Sequence, residues 1–159
     1  MKKSKKTGEF EMIVIGSDHG GFELKCAVIE YLNKNNIEFT DVGCYDKNSV
    51  DYPDIAEAVC KKVTGRECEL GILICGTGIG ISIAANKIKG IRAALCHSEY
   101  DAKMTKAHNN ANVLCMGGRT TGVEIALAMV KNFLESKFEG GRHEKRIEKI
   151  TALENKGQL

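Results

Sequence analysis

Five short apolar runs, each followed by a stretch with helical character, constrain the fold of this chain more than any other feature. The runs are Met12 to Gly16, Ile37 to Val42, Leu70 to Cys75, Ile91 to Cys96 and Asn112 to Met116. Between them the apolar residues recur at helical spacing: Leu24, Val28, Tyr31 and Leu32 within Phe22 to Asn35, Ile55, Val59 and Val63 after Pro53, and Ile125, Met129 and Phe133 within Thr121 to Ser136. Ile81 to Ile88 and Glu99 to His108, the latter behind the N-cap Ser98, read the same way. Short apolar runs bounded by glycine are buried strands, and a 3.6-residue repeat is a helix. Strict alternation of the two predicts an α/β protein, an open sheet of five parallel strands with helices on both faces. A last helix, Arg142 to about Glu154, has no strand of its own. Its Ile147, Ile150 and Leu153 need a cover, and a partner subunit is expected to supply it.

Length and charge narrow the classes. The 159 residues make one domain of ordinary size, and 43% hydrophobic with 28% charged residues argues against disorder. The four lysines at 2, 3, 5 and 6 more than account for the formal charge of +2, so the remainder is slightly acidic and not a nucleic-acid surface. Residues 1–11 read as a flexible extension and 12–159 as the single domain. Glu9 and Glu11 interrupt any apolar secretory core, and the longest uncharged stretch, the 17 residues from Leu70 to Asn86, is too short and too glycine-rich to span a membrane. The seven cysteines are odd in number and form no C-x-x-C pair. They read as reduced thiols of a cytoplasmic protein, with neither a zinc ribbon nor a disulfide framework.

The third run carries the chemistry. It ends at Cys75 and passes directly into Gly76-Thr77-Gly78-Ile79-Gly80. Open α/β sheets collect ligands at strand C-termini, and a glycine turn leading into a helix exposes backbone N–H groups to negative charge. That surrounding favours a thiolate, and a base beside an oxyanion site is what proton abstraction next to a carbonyl requires. The spacing is GxGxG, it follows the third strand instead of the first, and Cys96 stands where a dinucleotide site would have an acid. With no Gly-Lys-Ser/Thr, a P-loop fails as well. A small anion or an enediolate remains.

Each of these residues also has a plainer reading. Cys75 is equally a packing thiol, Thr77 a helix-start hydroxyl and Asp18 a cap for the next helix. Asp18 and His19 nevertheless follow the first strand, on the edge that holds Cys75. His108 and Asn109 end a helix, where histidine is favourable without function, and His97 after the fourth strand is a rival to His108. Arg142 and Arg146 share a helix face and, with Arg119 after Gly117-Gly118, suit a phosphate.

Taken together the motifs GSDHGGFELK (16–25), DYPD (51–54), ILICGTGIGISIAANK (72–87), HNNANVLCMGGR (108–119) and FEGGRHEKRI (138–147) closely resemble the type B ribose-5-phosphate isomerases, within the sugar-phosphate isomerase family that also holds galactose-6-phosphate isomerase. The likeness runs from about Met12 to about Leu153. It implies a three-layer Rossmann-like fold with a C-terminal dimer-contact helix. It also implies interconversion of ribose 5-phosphate and ribulose 5-phosphate, a step of the non-oxidative pentose phosphate pathway, without metal or organic cofactor. By motif position Cys75 is the base, Gly76, Gly78, Ile79 and Gly80 hold the enediolate oxygen, and Thr77 helps transfer the hydroxyl proton. His108, with Asp18, assists ring opening. His19, Arg119, Arg142 and Arg146 hold the phosphate, and Tyr52 and Asn109 line the sugar. Some relatives carry a glutamate base elsewhere; Cys75 sets this chain in the Cys-base branch. The resemblance further implies a homodimer with the site between subunits, a dimer of dimers being the larger assembly. Allose 6-phosphate, galactose 6-phosphate and a non-catalytic nucleotide- or phosphate-binding role are the rival readings.

Overall fold

The computed structural model describes residues 12–156. Five strands form one sheet: β1 (Ile13–Ser17), β2 (Phe39–Asp41), β3 (Leu70–Cys75), β4 (Ala93–Leu95) and β5 (Val113–Gly117). They lie in the order β2-β1-β3-β5-β4, every pair parallel. Six helices follow among the described residues: α1 (Phe22–Lys34), α2 (Tyr52–Thr64), α3 (Ile79–Ala85), α4 (Glu99–Asn109), α5 (Val123–Glu135) and α6 (Arg142–Lys156). The expected extension 1–11 falls outside the described residues.

The central strands β1, β3 and β5 are buried along their whole length, as a parallel sheet covered on both faces requires. Alternate side chains feed two separate cores. Ile13, Ile15, Ile72, Ile74, Leu114 and Met116 pack with α1, α4 and α5, including Leu24, Val28 and Phe133. Val14, Leu73, Cys75, Val113 and Cys115 point the other way, against Ala56, Val59 and Cys60 of α2 and Ile81 and Ala85 of α3. The three layers therefore follow from the period of two along each strand.

The two outer strands are shorter than the apolar runs suggest. The N–H of Ile37 still bonds the Leu32 carbonyl at the end of α1, so β2 starts later. Before β4, Asn112 replaces the ladder: its Oδ1 accepts from Arg92 N at 2.8 Å and its amide donates to Gly90 O at 2.9 Å. Helix α3 runs Ile79–Ala85, earlier and shorter than Ile81 to Ile88. Helix α6 buries only His143; Ile150 is 46% and Leu153 67% exposed, so the apolar stripe read from the sequence lies open within one chain.

The strand order changes direction between β1 and β3, because β1 is followed outward by β2 and the chain then returns to the other side. Crevices at such a switch point are where open α/β sheets bind ligands.

Candidate active site

The loops after β1, β3 and β5 converge on the C-terminal edge of the sheet at that switch point. Their closeness depends on glycine: a Cβ on Gly20 would lie 3.1 Å from the Gly76 backbone, and one on Gly118 would lie 2.6 Å from the Gly20 carbonyl oxygen. Main-chain bonds lock the contact, from Gly118 N to Cys75 O at 2.7 Å and from Arg119 N to Gly76 O at 2.9 Å. Arg119 stays exposed beside Gly76, the tip of its guanidinium 3.4 Å from where a Gly76 Cβ would be.

Cys75 ends β3 and is 4% exposed. The N–H of Gly78 donates to its Sγ at 3.1 Å, a contact made possible by the left-handed φ of 77° at Gly78. An N–H aimed at sulfur is a contact a thiolate accepts. Burial pushes Cys60 and Cys96 up to about 12 and Cys115 well above the ordinary thiol value, as expected of inert packing cysteines. Thr77 is exposed, its Oγ1 accepting from Ile79 N at 3.2 Å, so the plainer capping reading holds while the hydroxyl remains at the surface. Because α3 has seven residues, any positive field at Cys75 comes from the turn's own N–H groups and not from a long helix dipole.

Asp18 is 7% exposed and accepts from Gly21 N at 3.1 Å, while its own N–H donates to Ile74 O. It thus closes the turn into α1 and lies one strand from Cys75. His19 is half-buried, and its Nδ1 accepts from Val50 N at 3.3 Å, which leaves Nε2 to carry the proton of the neutral ring. Tyr52 begins α2 with its ring against Gly80, where a Cβ would meet it at 2.7 Å. Within one chain, then, Asp18, His19, Tyr52, Cys75, Thr77, Gly76, Gly78, Ile79, Gly80 and Arg119 gather at one end of the sheet.

Four of the expected residues do not. Helix α4 runs back across the sheet, so His108 and Asn109 lie just before β5 begins, at the opposite edge. Arg92 there bonds the carbonyls of Asn109 and Asn110. Arg142 and Arg146 belong to α6, which follows onto that edge: Glu139 N donates to Ala107 O at 3.0 Å, and Glu154 accepts from Gly90 N at 2.9 Å. His97, by contrast, follows β4 on the Cys75 side and is exposed.

Two groups went unnoticed in the sequence. Lys25, only 1% exposed, bonds both Asp41 oxygens at 2.7 Å and Cys44 O at 2.5 Å, tying α1 to the loop that leads toward Tyr52. A lysine on the apolar face of α1, one turn before Val28, is the signal that could have found it. The second group is His143 with Glu139. The His143 and His108 rings stack at 4.2 Å between centroids with 8° between planes, and each Nε2 is 3.7 Å from Glu139 Oε2. Burial, then the neighbouring His108 and Arg142, hold the His143 imidazole below its ordinary value. Donor atoms of the three residues lie within 4.8 Å of one another. A shared ion, however, must lie near the plane of each ring, where the nitrogen lone pair points, and stacked parallel rings have no such common point. The arrangement is a carboxylate-flanked imidazole pair and not a metal centre.

Fold and site define a class: an open α/β protein with a thiol-bearing, glycine-lined ligand edge at the β1–β3 switch point. Residues 13–150 match the Ribose/Galactose Isomerase family, and the chain belongs to it. Ribose-5-phosphate isomerase B of Escherichia coli is 46% identical over 144 residues, 91% of this chain and 97% of that protein. The structure of Clostridium thermocellum ribose-5-phosphate isomerase B superposes with a TM-score of 0.91 at 48% identity, covering 92% of this chain and 99% of that one. The Mycoplasma genitalium ribose-5-phosphate isomerase B with bound ribulose-5-phosphate gives a TM-score of 0.85 at 44% identity, covering 91% and 96%. Among the described residues no helix is long and apolar enough to cross a membrane.

Proposed function

We propose that this chain interconverts D-ribose 5-phosphate and D-ribulose 5-phosphate in the cytoplasm, as a homodimer whose residues 12–159 form one catalytic domain. The observation that carries the reading is Cys75 at the switch point, with a backbone N–H on its sulfur and Asp18, His19 and Arg119 around it.

The aldose arrives as a furanose. Opening it removes the anomeric hydroxyl proton, breaks the bond from C1 to the ring oxygen, forms the C1 carbonyl and returns a proton to the ring oxygen. His108, assisted by Asp18, is assigned this exchange. Cys75 Sγ then takes the C2 proton while the electrons move onto the C1 oxygen, giving a cis-enediolate. Gly76, Gly78, Ile79 and Gly80 are assigned to hold that oxyanion. The Gly78 N–H rests on the Cys75 sulfur and the Ile79 N–H on Thr77 Oγ1, so those two must turn from these partners to reach it. Donors of this kind contribute about 3 kcal/mol each in comparable sites. Thr77 passes the hydroxyl proton between O1 and O2, and Cys75 returns its proton to C1. No metal or organic cofactor takes part. His19, Arg119, Arg142 and Arg146 bind the phosphate, orienting C1 and C2 over the thiol, and Tyr52 and Asn109 line the sugar.

A second copy is part of this reading, because His108, Asn109, Arg142 and Arg146 lie at the far edge from Cys75 in their own chain. The open Ile150 and Leu153 stripe of α6 supports the same assembly. Each site would then take Cys75 from one chain and the partner's His108.

The test is an isomerase assay with ribose 5-phosphate, allose 6-phosphate and galactose 6-phosphate at equal concentration, run beside Cys75→Ala. We expect ribose 5-phosphate to be preferred. Cys75→Ala should still bind the sugar phosphate but no longer exchange its C2 proton with solvent. Preference for a six-carbon sugar would shift the substrate, and wild-type turnover in Cys75→Ala would remove the thiol-base mechanism. Protection by nucleotide but not by any sugar phosphate would point to a binding module.

A further inference from the structure

Helix α6 spends its one buried position on a histidine. His143 has a side chain 8% exposed, while the apolar Ile150 and Leu153 of the same helix lie open. A residue buried only for packing would be better served by leucine, so the imidazole calls for another account. The chain builds this contact with some care. The N–H of Glu139 bonds the carbonyl of Ala107, the residue before His108. Gly140 and Gly141 then turn the chain at φ of 66° and 58°, values that suit glycine, with nothing within 4 Å of where their Cβ atoms would be. His143 N closes the turn on Gly140 O at 3.1 Å, and α6 leaves with its ring flat on His108. The edges carrying Nε2 of both rings face the same Glu139 oxygen at 3.7 Å, inside ion-pair range though longer than a hydrogen bond.

We propose that His143 and Glu139 are positioning residues for His108: the stacked ring fixes the plane of its imidazole, and the carboxylate fixes which edge turns outward. The inference rests on the reading that His108 opens the sugar ring. His108 is itself 35% exposed at the end of a helix, where an unsupported side chain samples several rotamers. A proton exchange between the anomeric hydroxyl and the ring oxygen needs the imidazole in one orientation, and stacking supplies that without occupying its nitrogens. Neither positioning residue is asked to touch the substrate.

The reaction itself offers a way to isolate the step. Ribulose 5-phosphate is acyclic, because its 5-hydroxyl is esterified and cannot close on C2. Exchange of its C1 proton with solvent therefore reports Cys75 without ring opening, whereas turnover of ribose 5-phosphate needs both. His143→Ala should lower kcat for ribose 5-phosphate by about tenfold, a part of the ~10²–10⁴ that a positioned acid–base group contributes, with KM little changed. Exchange from ribulose 5-phosphate should stay at the wild-type rate. Glu139→Gln should show the same split. His143→Phe, which keeps an aromatic face, should recover turnover to within about threefold of wild type.

Equal loss of both signals in His143→Ala, or a His143→Phe no better than His143→Ala, would mean that His143 serves only the fold and would overturn the proposal. So would a normal His143→Ala beside a His108→Asn that has lost ribose 5-phosphate turnover, and that result would leave the assignment of His108 standing. Undiminished ribose 5-phosphate turnover in His108→Asn would refute the ring-opening role and this inference with it.

Discussion

Replacing Gly78 by alanine tests whether the turn after β3 serves the fold and the thiol together. Gly78 has φ of 77°, and an alanine held there costs roughly 1–2 kcal/mol. Its methyl would also stand 2.5 Å from Leu95 Cδ1 and 2.7 Å from the Met116 carbonyl carbon. Leu95 can swing aside, but the Met116 carbonyl belongs to β5 and cannot, so overpacking adds about 1–3 kcal/mol. The sum is about 3 kcal/mol, or a fall of roughly 6–12 °C in Tm for a chain of this size. The same displacement takes the Gly78 N–H off the Cys75 sulfur, 3.1 Å away in the native turn, and shifts the neighbouring N–H groups that the proposed mechanism sets against the oxyanion. Loss of one such donor lowers kcat by about 10²-fold in comparable sites. Gly90→Ala is the control: φ there is 85°, but the nearest atom to a new methyl is Thr64 Cγ2 at 3.8 Å. It should pay the strain alone, about 1–2 kcal/mol, and keep full kcat. Thermal melts and steady-state turnover on both variants decide the matter. A Gly78→Ala enzyme as stable as Gly90→Ala and fully active would refute both the packing argument and the link to Cys75.

Three further outcomes are expected. Lys25→Met should destabilise by about 3 kcal/mol in urea titration, because it leaves Asp41 and the Cys44 carbonyl without their buried cation; in Lys25→Met/Asp41→Asn the loss should be partly recovered. Brief alkylation near pH 8 should label the exposed Cys26 and leave Cys60 and Cys96 untouched, since burial raises both to about 12 and keeps them as thiols far below that pH. Peptide mass spectrometry reads the result, and rapid native-state labelling of Cys60 would contradict it. Finally, Cys75→Ala and His108→Asn chains co-expressed in equal amounts should regain about a quarter of wild-type activity, because random pairing makes half the dimers mixed and each mixed dimer has one intact site. Activity no higher than the mean of the two parent variants would mean that the site is not shared between chains.

The parts of this structure that were legible in the sequence are those whose cause is local. Strands β1, β3 and β5 declare themselves as continuous apolar runs because both faces are covered, and Cys75 is marked as an edge residue by the glycine that ends its strand. β2 and β4 are outer strands with a single neighbour each, so their ends are set by Ile37 bonding back to α1 and by Asn112 lacing Arg92, contacts that no periodicity encodes. Lys25 and His143 were missed for a related reason. Each looks like one more polar residue on a helix, and its meaning depends on partners 16 and 35 residues away, Asp41 and His108.

The direction of α4 has the largest consequence. In a parallel α/β sheet a helix that starts at the C-terminal edge must end at the other one, so a residue near the start of β5 cannot share an edge with Cys75 in the same chain. His97, by the same rule, falls on the Cys75 side. If His108 acts on a sugar held at Cys75, the chain keeps its base at one edge and its ring-opening group at the other, and only a second copy brings them together. Assembly is then a condition of the chemistry, and dilution below the dimer dissociation constant should abolish turnover with the fold of each chain intact.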